Sequence, residues 1–294
     1  MSKKQIGVLG ATSLVGRCLL PLLKKNGWSV RAYSRRKVNS ADPDIQWVQI
    51  PLAPEELHGP TGESDKIGFW ICVASIWVLP DYFSMLEKHG ARRIVAVSST
   101  SIFTKSQSGS AEEKSTALKL SSAETRLEQW SADTGVEWIV LRPTLIYGRG
   151  MDKNISEIVR LIRRLGFFPL LGKGDGLRQP VHAEDVAMAC LSALEKKDIV
   201  NRAYNLSGGE TLSYREMINR LFTALGRRPR LIHVPLGFFR LAAAMLRLFP
   251  RYRHLTSQMA ERMNTDLVFD HADAGRDLNF QPRPFQPGSE DLPS

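Results

Sequence analysis

Short apolar runs alternate with amphipathic segments along the first half of the chain. The runs QIGVLG, WSVRAYS, IQWVQI, FWICVAS, RRIVAVSS and VEWIVLRP have the length and composition of buried strands. Between them, SLVGRCLLPLLKKNG, YFSMLEKHG and a polar-faced segment from about Glu112 to Thr134 predict helices. Continuous apolar strands separated by helices are typical of a parallel sheet covered on both faces. The first half therefore predicts an α/β fold.

The pattern changes after Pro143. NISEIVRLIRRLG, AEDVAMACLSALEKK and SYREMINRLFTALG predict amphipathic helices, whereas RAYNLSGG and RLIHVP predict short strands. The proline-rich tail predicts irregular structure, and neither a repeat nor a low-complexity linker divides the chain. The second half therefore predicts a lobe built onto the sheet rather than an independent repeat.

Composition narrows the class of protein. With 43% hydrophobic and 24% charged residues, the 294-residue chain is predicted to be globular. It has no apolar run of about 18 residues, as a membrane-spanning helix needs, and no apolar leader at its start. The three cysteines, Cys18, Cys72 and Cys190, each lie in an apolar run, which predicts buried thiols. We therefore expect a cytoplasmic protein, with neither a disulfide framework nor a metal site.

The formal net charge of +10 comes with basic residues arranged in short doublets. Nucleic-acid binding would show as basic residues clustered with aromatic ones or as a known reading motif. Scattered doublets are more typical of a solvated surface, or of a site for a phosphorylated small molecule. The pattern disfavours a nucleic-acid partner.

The stretch GVLGATSLVGR joins the first strand to the first helix. Gly10 permits a sharp turn, Gly16 permits close packing of helix on sheet, and the helix N-terminus attracts a pyrophosphate. Ser13 stands where a third glycine is expected. In an ordinary backbone region its cost is small and its hydroxyl can bind phosphate, whereas a positive φ would cost about 1–2 kcal/mol. An ordinary strand–helix turn containing glycine is the alternative.

The second strand ends in AYSRR, where an NAD-binding fold would place an acidic residue for the ribose hydroxyls. Ser34, Arg35 and Arg36 stand there instead. Because arginine pairs with a 2′-phosphate, this end favours NADP over NAD. A solvated arginine pair on a basic surface is the alternative.

Further blocks follow in a characteristic order: RIVAVSSTSIF, EWIVLRPTLIYGRG, GLRQPVHAEDVAMACLSAL and FDHADAGRDLNFQPRPF. Together with the glycine turn, they resemble extended and atypical members of the short-chain dehydrogenase/reductase superfamily, from about residue 5 to 285. These are NAD(P)-dependent nucleotide-sugar epimerases, dehydratases and reductases. The resemblance implies a Rossmann-type, doubly wound sheet with the cofactor in residues 1–147. It places a smaller substrate lobe in residues 148–294, with segments that pack back on the sheet.

The resemblance also assigns roles to individual positions. It implies that the cofactor lies against the turn and two strand ends, at Gly10, Thr12, Leu14, Val15, Gly16, Ala74, Ser75, Pro143 and Thr144. Ser99 matches the active-site serine by its spacing to SIF, which stands where the superfamily has xVY. Arg178 matches an arginine that contacts the diphosphate of the substrate.

The chain departs from the superfamily at its Tyr-x-x-x-Lys pair, in which the tyrosine exchanges a proton with substrate and the lysine lowers its pKa. Anchoring the helix at Glu124 places Thr116 at the tyrosine position and Leu120 at the lysine position. A shift by one residue recovers Lys119 but offers Ser115 instead of tyrosine. Because there is no tyrosine between Tyr82 and Tyr147, no realignment restores the pair.

Three functional interpretations remain open. The chain is an oxidoreductase or epimerase that acts on a nucleotide-activated sugar or similar phosphorylated substrate by other proton-transfer groups, with Ser99, Thr100, Lys105 and Lys119 as candidates. Alternatively, it binds NADP(H) as a regulator or assembly factor without turnover. In the third, it acts on a membrane-linked sugar, because LGFFRLAAAMLRLFPRYRHL predicts an apolar helix with interleaved arginines that can lie in a membrane interface. Such a helix more often packs on a substrate lobe.

Overall fold

A computed structural model describes residues 4–39, 42–50, 66–235 and 262–293, which divide into two compact units. The first unit comprises the described residues of 1–144, 183–206 and 270–281. The second comprises those of 145–182, 207–269 and 282–294. The first unit thus takes three elements from the second half of the chain, and the roles predicted for the two halves stay predictions.

A seven-stranded sheet forms the centre of the first unit. Its strands are β1 (Lys4–Leu9), β2 (Trp28–Ser34), β3 (Ile45–Gln49), β4 (Phe69–Cys72), β5 (Arg93–Val97), β6 (Glu137–Pro143) and β11 (Arg202–Leu206). They lie in the order β11-β6-β5-β4-β1-β2-β3, and every neighbouring pair is parallel. This arrangement confirms the predicted doubly wound, Rossmann-type α/β fold.

The strand order reverses beside β1. From β1 the chain builds outward through β2 and β3, then returns to β4 on the other side and continues through β5, β6 and β11. In open parallel sheets, ligands bind at the carboxyl ends of the strands where this reversal opens a crevice. The carboxyl ends of β1 and β4 are therefore the place where the fold favours a binding site.

Helices connect the strands of the first unit. They are α1 (Leu14–Lys25), α2 (Phe83–Lys88), α3 (Ser101–Thr104), α4 (Ala111–Thr134), α6 (Ala183–Glu195) and α8 (Ala272–Leu278), with a 3-10 helix at Ile76–Tyr82. Helix α4 begins where the Ser110 hydroxyl accepts the Glu113 N–H at 3.4 Å, and it ends at Gly135 with φ of 75°. Such a hydroxyl N-cap and a left-handed glycine are common helix boundaries. The core beside α4 contains fully buried Trp70 and Leu127.

The second unit has its own apolar core around Tyr147, Phe222 and Phe285. Its elements are β7 (Ile146–Tyr147), α5 (Asn154–Leu165), β8 (Phe168–Leu171), β9 (Leu177–Arg178), β10 (Val181–His182), β12 (Leu212–Ser213), α7 (Tyr214–Ala224), β13 (Leu231–Val234) and a 3-10 turn at Ser289–Asp291. The strands pair two by two as β7 with β10, β8 with β13, and β9 with β12.

The segment that the sequence associates with a membrane surface, residues 236–255, lies outside the described residues. Within the part of the chain that the structure describes, no helix combines the length and apolarity needed to cross a bilayer. All three cysteines are buried, as the sequence predicts.

Candidate functional site

The glycine turn between β1 and α1 adopts a conformation that accommodates Ser13. Gly10 has a φ of 79°, whereas Ser13 has φ of −66° and ψ of 167°, an ordinary extended geometry. Ser13 therefore carries no left-handed strain. Its backbone lies in an ordinary region, the case in which the sequence predicts a small cost of replacing glycine.

Ser13 is also the N-cap of α1. Its Oγ accepts the Gly16 N–H at 3.0 Å, and its carbonyl accepts the Arg17 N–H at 2.9 Å. A helix leaves its first four N–H groups without partners inside the helix. Of those four, the N–H groups of Leu14 and Val15 are left without a described partner, which suits them to an anion. The Ser13 hydroxyl proton adds a further donor at the same place.

The two glycines of the turn lie against backbone. A Cβ added to Gly10 would stand 2.4 Å from the Ala74 nitrogen, which follows β4. A Cβ added to Gly16 would stand 2.5 Å from the Ala11 carbonyl oxygen. Distances this short require the backbone to shift, so only glycine fits either position. The backbone at Gly10 therefore packs directly against the backbone at Ala74.

We expect Gly10→Ala to destabilise the protein by about 2–5 kcal/mol, since it combines left-handed strain with a backbone collision. Gly27→Ala is the matched control, because Gly27 has the same φ of 79° with nothing within 4 Å of an added Cβ. Urea unfolding of both variants separates the cost of left-handed strain from the cost of the collision with the Ala74 backbone. Equal losses for Gly10→Ala and Gly27→Ala would contradict the close approach to Ala74.

The end of β2 carries the residues that the sequence assigns to a 2′-phosphate. Ser34 is buried, and its Oγ accepts the Arg36 N–H at 3.1 Å, while the side chains of Arg35 and Arg36 are exposed. The next acidic residues along the chain are Asp42 and Asp44. Both pair with Lys24 of α1, at 2.9 and 3.4 Å.

A cavity of about 310 Å³ lies beyond the ends of β4 and β5, next to α4. Its lining includes Ala74 and Ser75 after β4, Ser99 after β5, and Lys105 between α3 and α4. These residues come from three separate segments, and the structure brings all four together. Lys105 is the one ionisable side chain among the described residues that line this cavity.

Thr116 and Leu120 of α4 also line the cavity. The two residues are four positions apart, so they share a helix face. This placement is consistent with the alignment on Glu124, which puts them where the superfamily has its tyrosine and lysine. The Thr116 hydroxyl donates to the Glu112 carbonyl at 3.0 Å, and Leu120 is 3% exposed. Lys119 is exposed and does not line the cavity.

The remaining candidates of the first unit hold the backbone together. Thr100 is buried, and its N–H and Oγ1 donate to the Pro143 carbonyl at 3.1 and 3.3 Å. The Thr144 N–H donates to the Leu206 carbonyl at 2.9 Å. The Ser99 Oγ accepts the Ser101 N–H at 3.1 Å, which leaves the Ser99 hydroxyl proton to donate into the cavity.

A buried polar network below the cavity was missed by the sequence reasoning. Ser98, which lines the cavity, donates to Glu124 at 2.5 Å, and Arg142 of β6 binds both oxygens of that carboxylate. The Arg142 Nε lies 3.2 and 3.1 Å from the two oxygens, and the guanidinium also lies over the Phe103 ring at 5.3 Å. A charged residue inside the apolar run EWIVLRP was the signal available in the sequence.

In the second unit, Arg178 is buried and its guanidinium is held by the chain itself. It donates to the carbonyls of Leu177 and Thr265, each at 2.7 Å, and to that of Arg262, and it lies over the Tyr214 ring. Burial lowers the pKa of Arg178 from its usual range and raises the pKa of Tyr214 to about 12. Contact of Arg178 with a substrate diphosphate stays a prediction.

Comparison with known proteins agrees with this geometry. Residues 81–207 match the sequence model of the NAD dependent epimerase/dehydratase family. The matched segment includes Ser99, Lys105, Thr116 and Leu120 of the cavity, whereas the glycine turn precedes it.

Individual relatives are distant. The chain is 23% identical over 308 residues to a UDP-glucose 4-epimerase of Vibrio cholerae, covering 95% of this chain and 91% of the relative. It is 29% identical over 163 residues to a 2-alkyl-3-oxoalkanoate reductase of Stenotrophomonas maltophilia, covering 51% of this chain and 48% of the reductase. The solved structure of UDP-glucuronic acid 4-epimerase from Bacillus cereus in complex with NAD has a TM-score of 0.72 and 14% identity. That match covers 98% of this chain and 95% of the other, and it shows a shared fold.

Proposed function

We propose that this chain binds NADP(H) at the carboxyl edge of its sheet and acts on a nucleotide-activated sugar or similar phosphorylated carbonyl compound. The observation that carries the proposal is the placement of the cavity. It lies beyond β4 and β5, and β4 is hydrogen-bonded to β1, which leads into the glycine turn. The match of residues 81–207 to the NAD dependent epimerase/dehydratase family model and the similarity to a UDP-glucose 4-epimerase support this substrate class.

The residues of the turn fit a dinucleotide pyrophosphate. Leu14 and Val15 present N–H groups at the start of a 12-residue helix, and Gly10 allows the backbone to approach closely. Arg35 and Arg36 are exposed at the end of the neighbouring strand, where they supply charge for a 2′-phosphate. When bound, the nicotinamide supplies or accepts a hydride.

Side chains of the protein transfer the proton. In the reducing direction, the Ser99 hydroxyl donates a hydrogen bond to the carbonyl oxygen of the substrate and orients it. The Lys105 ammonium donates a proton to that oxygen as the hydride reaches the carbonyl carbon, and water then reprotonates the amine. Thr116 and Leu120 shape the cavity, because neither side chain is a proton donor of useful acidity.

We expect the chain to bind NADP⁺ at least about tenfold more tightly than NAD⁺, because two arginines form charge-assisted hydrogen bonds with the 2′-phosphate. Calorimetric titration of the Arg35→Ala/Arg36→Ala variant should show that preference lost and NAD⁺ affinity nearly unchanged. Lys37→Ala is the matched control, since Lys37 is an exposed cation one residue further along. Equal Kd values for the two cofactors in the parent protein would overturn the NADP assignment.

A non-catalytic NADP(H)-binding regulator or assembly factor is the second candidate. Thr116 and Leu120 line the cavity, and the alignment on Glu124 predicts that they replace the usual tyrosine and lysine, which favours this candidate. Incubation of the NADPH complex with a panel of nucleotide keto-sugars, with product analysis, tests the two. Turnover supports the enzyme, and products must be analysed because an epimerase recycles its cofactor. Thermal stabilisation by NADPH without any product supports the regulator. If neither NADPH nor NADH stabilises the protein, both candidate functions are contradicted.

A further inference from the structure

The net positive charge of the chain comes from two segments. Residues 158–174 and 217–260 together contain 12 of the 40 Lys and Arg and none of the 30 Asp and Glu. The rest of the chain holds 28 basic and 30 acidic residues, so these two segments account for the whole positive excess. A surface adapted only for solubility mixes both signs, and such segregation is typical of a surface with an anionic partner.

The described parts of these segments meet in the second unit. Strands β8 and β13 pair in parallel, with Ile232 opposite Pro169, and the Phe168 N–H donates to the Arg230 carbonyl at 2.9 Å. The Arg227 guanidinium donates to the Ile162 carbonyl at the end of α5, at 3.2 Å. The last turn of α5 and the chain leading into β13 therefore form one continuous patch.

The arginines of this patch fall into two groups. Arg227 binds carbonyls of the last turn of α5, and Arg163 donates to the Pro293 carbonyl, so both serve the fold. Arg164, Arg228 and Arg230 are exposed, and within the described residues no carboxylate or carbonyl accepts a hydrogen bond from their guanidinium groups. Among the described residues, these three charges have no stabilising role beyond the favourable place of Arg164 at a helix C-terminus.

Large apolar side chains lie among these exposed charges. Leu165 is 42% exposed and Ile232 is 49% exposed. We name the set Arg164, Leu165, Arg228, Arg230 and Ile232 the basic edge. Arginines with interleaved aliphatic side chains match a bilayer surface, where the cations meet lipid phosphates and the apolar groups enter the acyl boundary. Single-stranded nucleic acid would instead call for exposed aromatic rings, which the basic edge lacks.

We propose that the basic edge attaches this protein to the surface of a bilayer that contains anionic phospholipid. Attachment is peripheral and reversible, and it rests on electrostatic attraction reinforced by the insertion of Leu165 and Ile232. The proposal does not depend on the cofactor or on the proposed reaction, because every residue of the basic edge belongs to the second unit.

Cosedimentation of the full chain with vesicles tests this proposal. We expect binding to phosphatidylcholine vesicles that contain phosphatidylglycerol, little binding to pure phosphatidylcholine, and release by high salt. The Arg164→Gln/Arg228→Gln/Arg230→Gln variant should bind about 100-fold more weakly, as each lost charge costs about fivefold near an anionic surface. Leu165→Ser/Ile232→Ser should weaken binding while leaving its salt dependence intact.

The matched control removes three exposed charges from the first unit, as Lys25→Gln/Lys88→Gln/Arg126→Gln. It should bind within about threefold of the parent protein, since its charges lie outside the basic edge. An equal loss in the control would mean that net charge alone attracts the protein. Failure of the parent to bind anionic vesicles would overturn the proposal. So would tighter binding of a DNA or RNA duplex that the three basic-edge substitutions abolish. Urea unfolding shows whether each variant is folded.

Discussion

Glu124→Ala is expected to lower the free energy of unfolding by about 3–5 kcal/mol, one of the largest stability losses available to a single substitution here. The Glu124 side chain is 6% exposed and accepts hydrogen bonds from Ser98 and Arg142. Its removal leaves the Arg142 guanidinium, whose side chain is 20% exposed, without a counter-ion. Because Arg142 keeps some contact with water, the lower end of the range is the better expectation. Urea unfolding measures the loss.

Two control variants separate the stability cost of leaving a buried charge unpaired from the cost of breaking an exposed ion pair. Glu124→Leu/Arg142→Met removes both charges at once and should recover at least half of the lost stability, since no buried charge remains. Asp273→Ala breaks a pair with Arg276 of 2.6 Å whose side chains are 75% and 66% exposed. It should cost less than about 1 kcal/mol. A large loss for Asp273→Ala, or a double variant no more stable than Glu124→Ala, would contradict the argument.

The sheet could be predicted from the sequence because its strands are short, continuously apolar and separated by helices. A parallel strand is buried on both faces, so each strand leaves its own local signal. The assignment of α6, β11 and α8 to the first unit leaves no such signal. It depends on long-range contacts, among them a hydrogen bond of 2.8 Å from the Tyr204 hydroxyl to Asp277.

For residues of one helix, the sequence periodicity predicts which side chains share a face. Thr116 and Leu120 share the cavity face because they are four residues apart, and Lys119 is rotated away into solvent. Lys105 could be named from the sequence only as one of several candidates. Its entry into the cavity depends on the link between α3 and α4, and the backbone of such a link has no periodicity from which a direction could be deduced.

The Ser98–Glu124–Arg142 network could not be assembled in advance for a different reason. Its members come from the end of β5, the middle of α4 and the end of β6, and only Arg142 stands out in its own segment, as a charge within an apolar run. Only the packing of α4 beside these strands turns three separated polar residues into a satisfied buried group.

Lys105→Met is expected to reduce turnover of an accepted keto-sugar by about 10²–10⁴-fold, the usual contribution of a positioned general acid. Lys105 is the single ionisable group among the described residues of the cavity lining, so its loss leaves only hydroxyl groups there. Methionine keeps the length and apolar stem of lysine, and NADPH binding should therefore be nearly unchanged. The measurement is steady-state kinetics of NADPH oxidation together with a calorimetric Kd.

Two further lysines make this result interpretable. Lys114→Met is the matched control, because Lys114 is exposed near the start of α4 and does not line the cavity. Lys119→Met tests the alternative base suggested by a one-residue shift of the alignment. If proton transfer depends on reach into the cavity, Lys105→Met alone loses turnover, and both other variants stay within about twofold. A loss confined to Lys119→Met would contradict the role of Lys105 and would assign the proton to Lys119 instead.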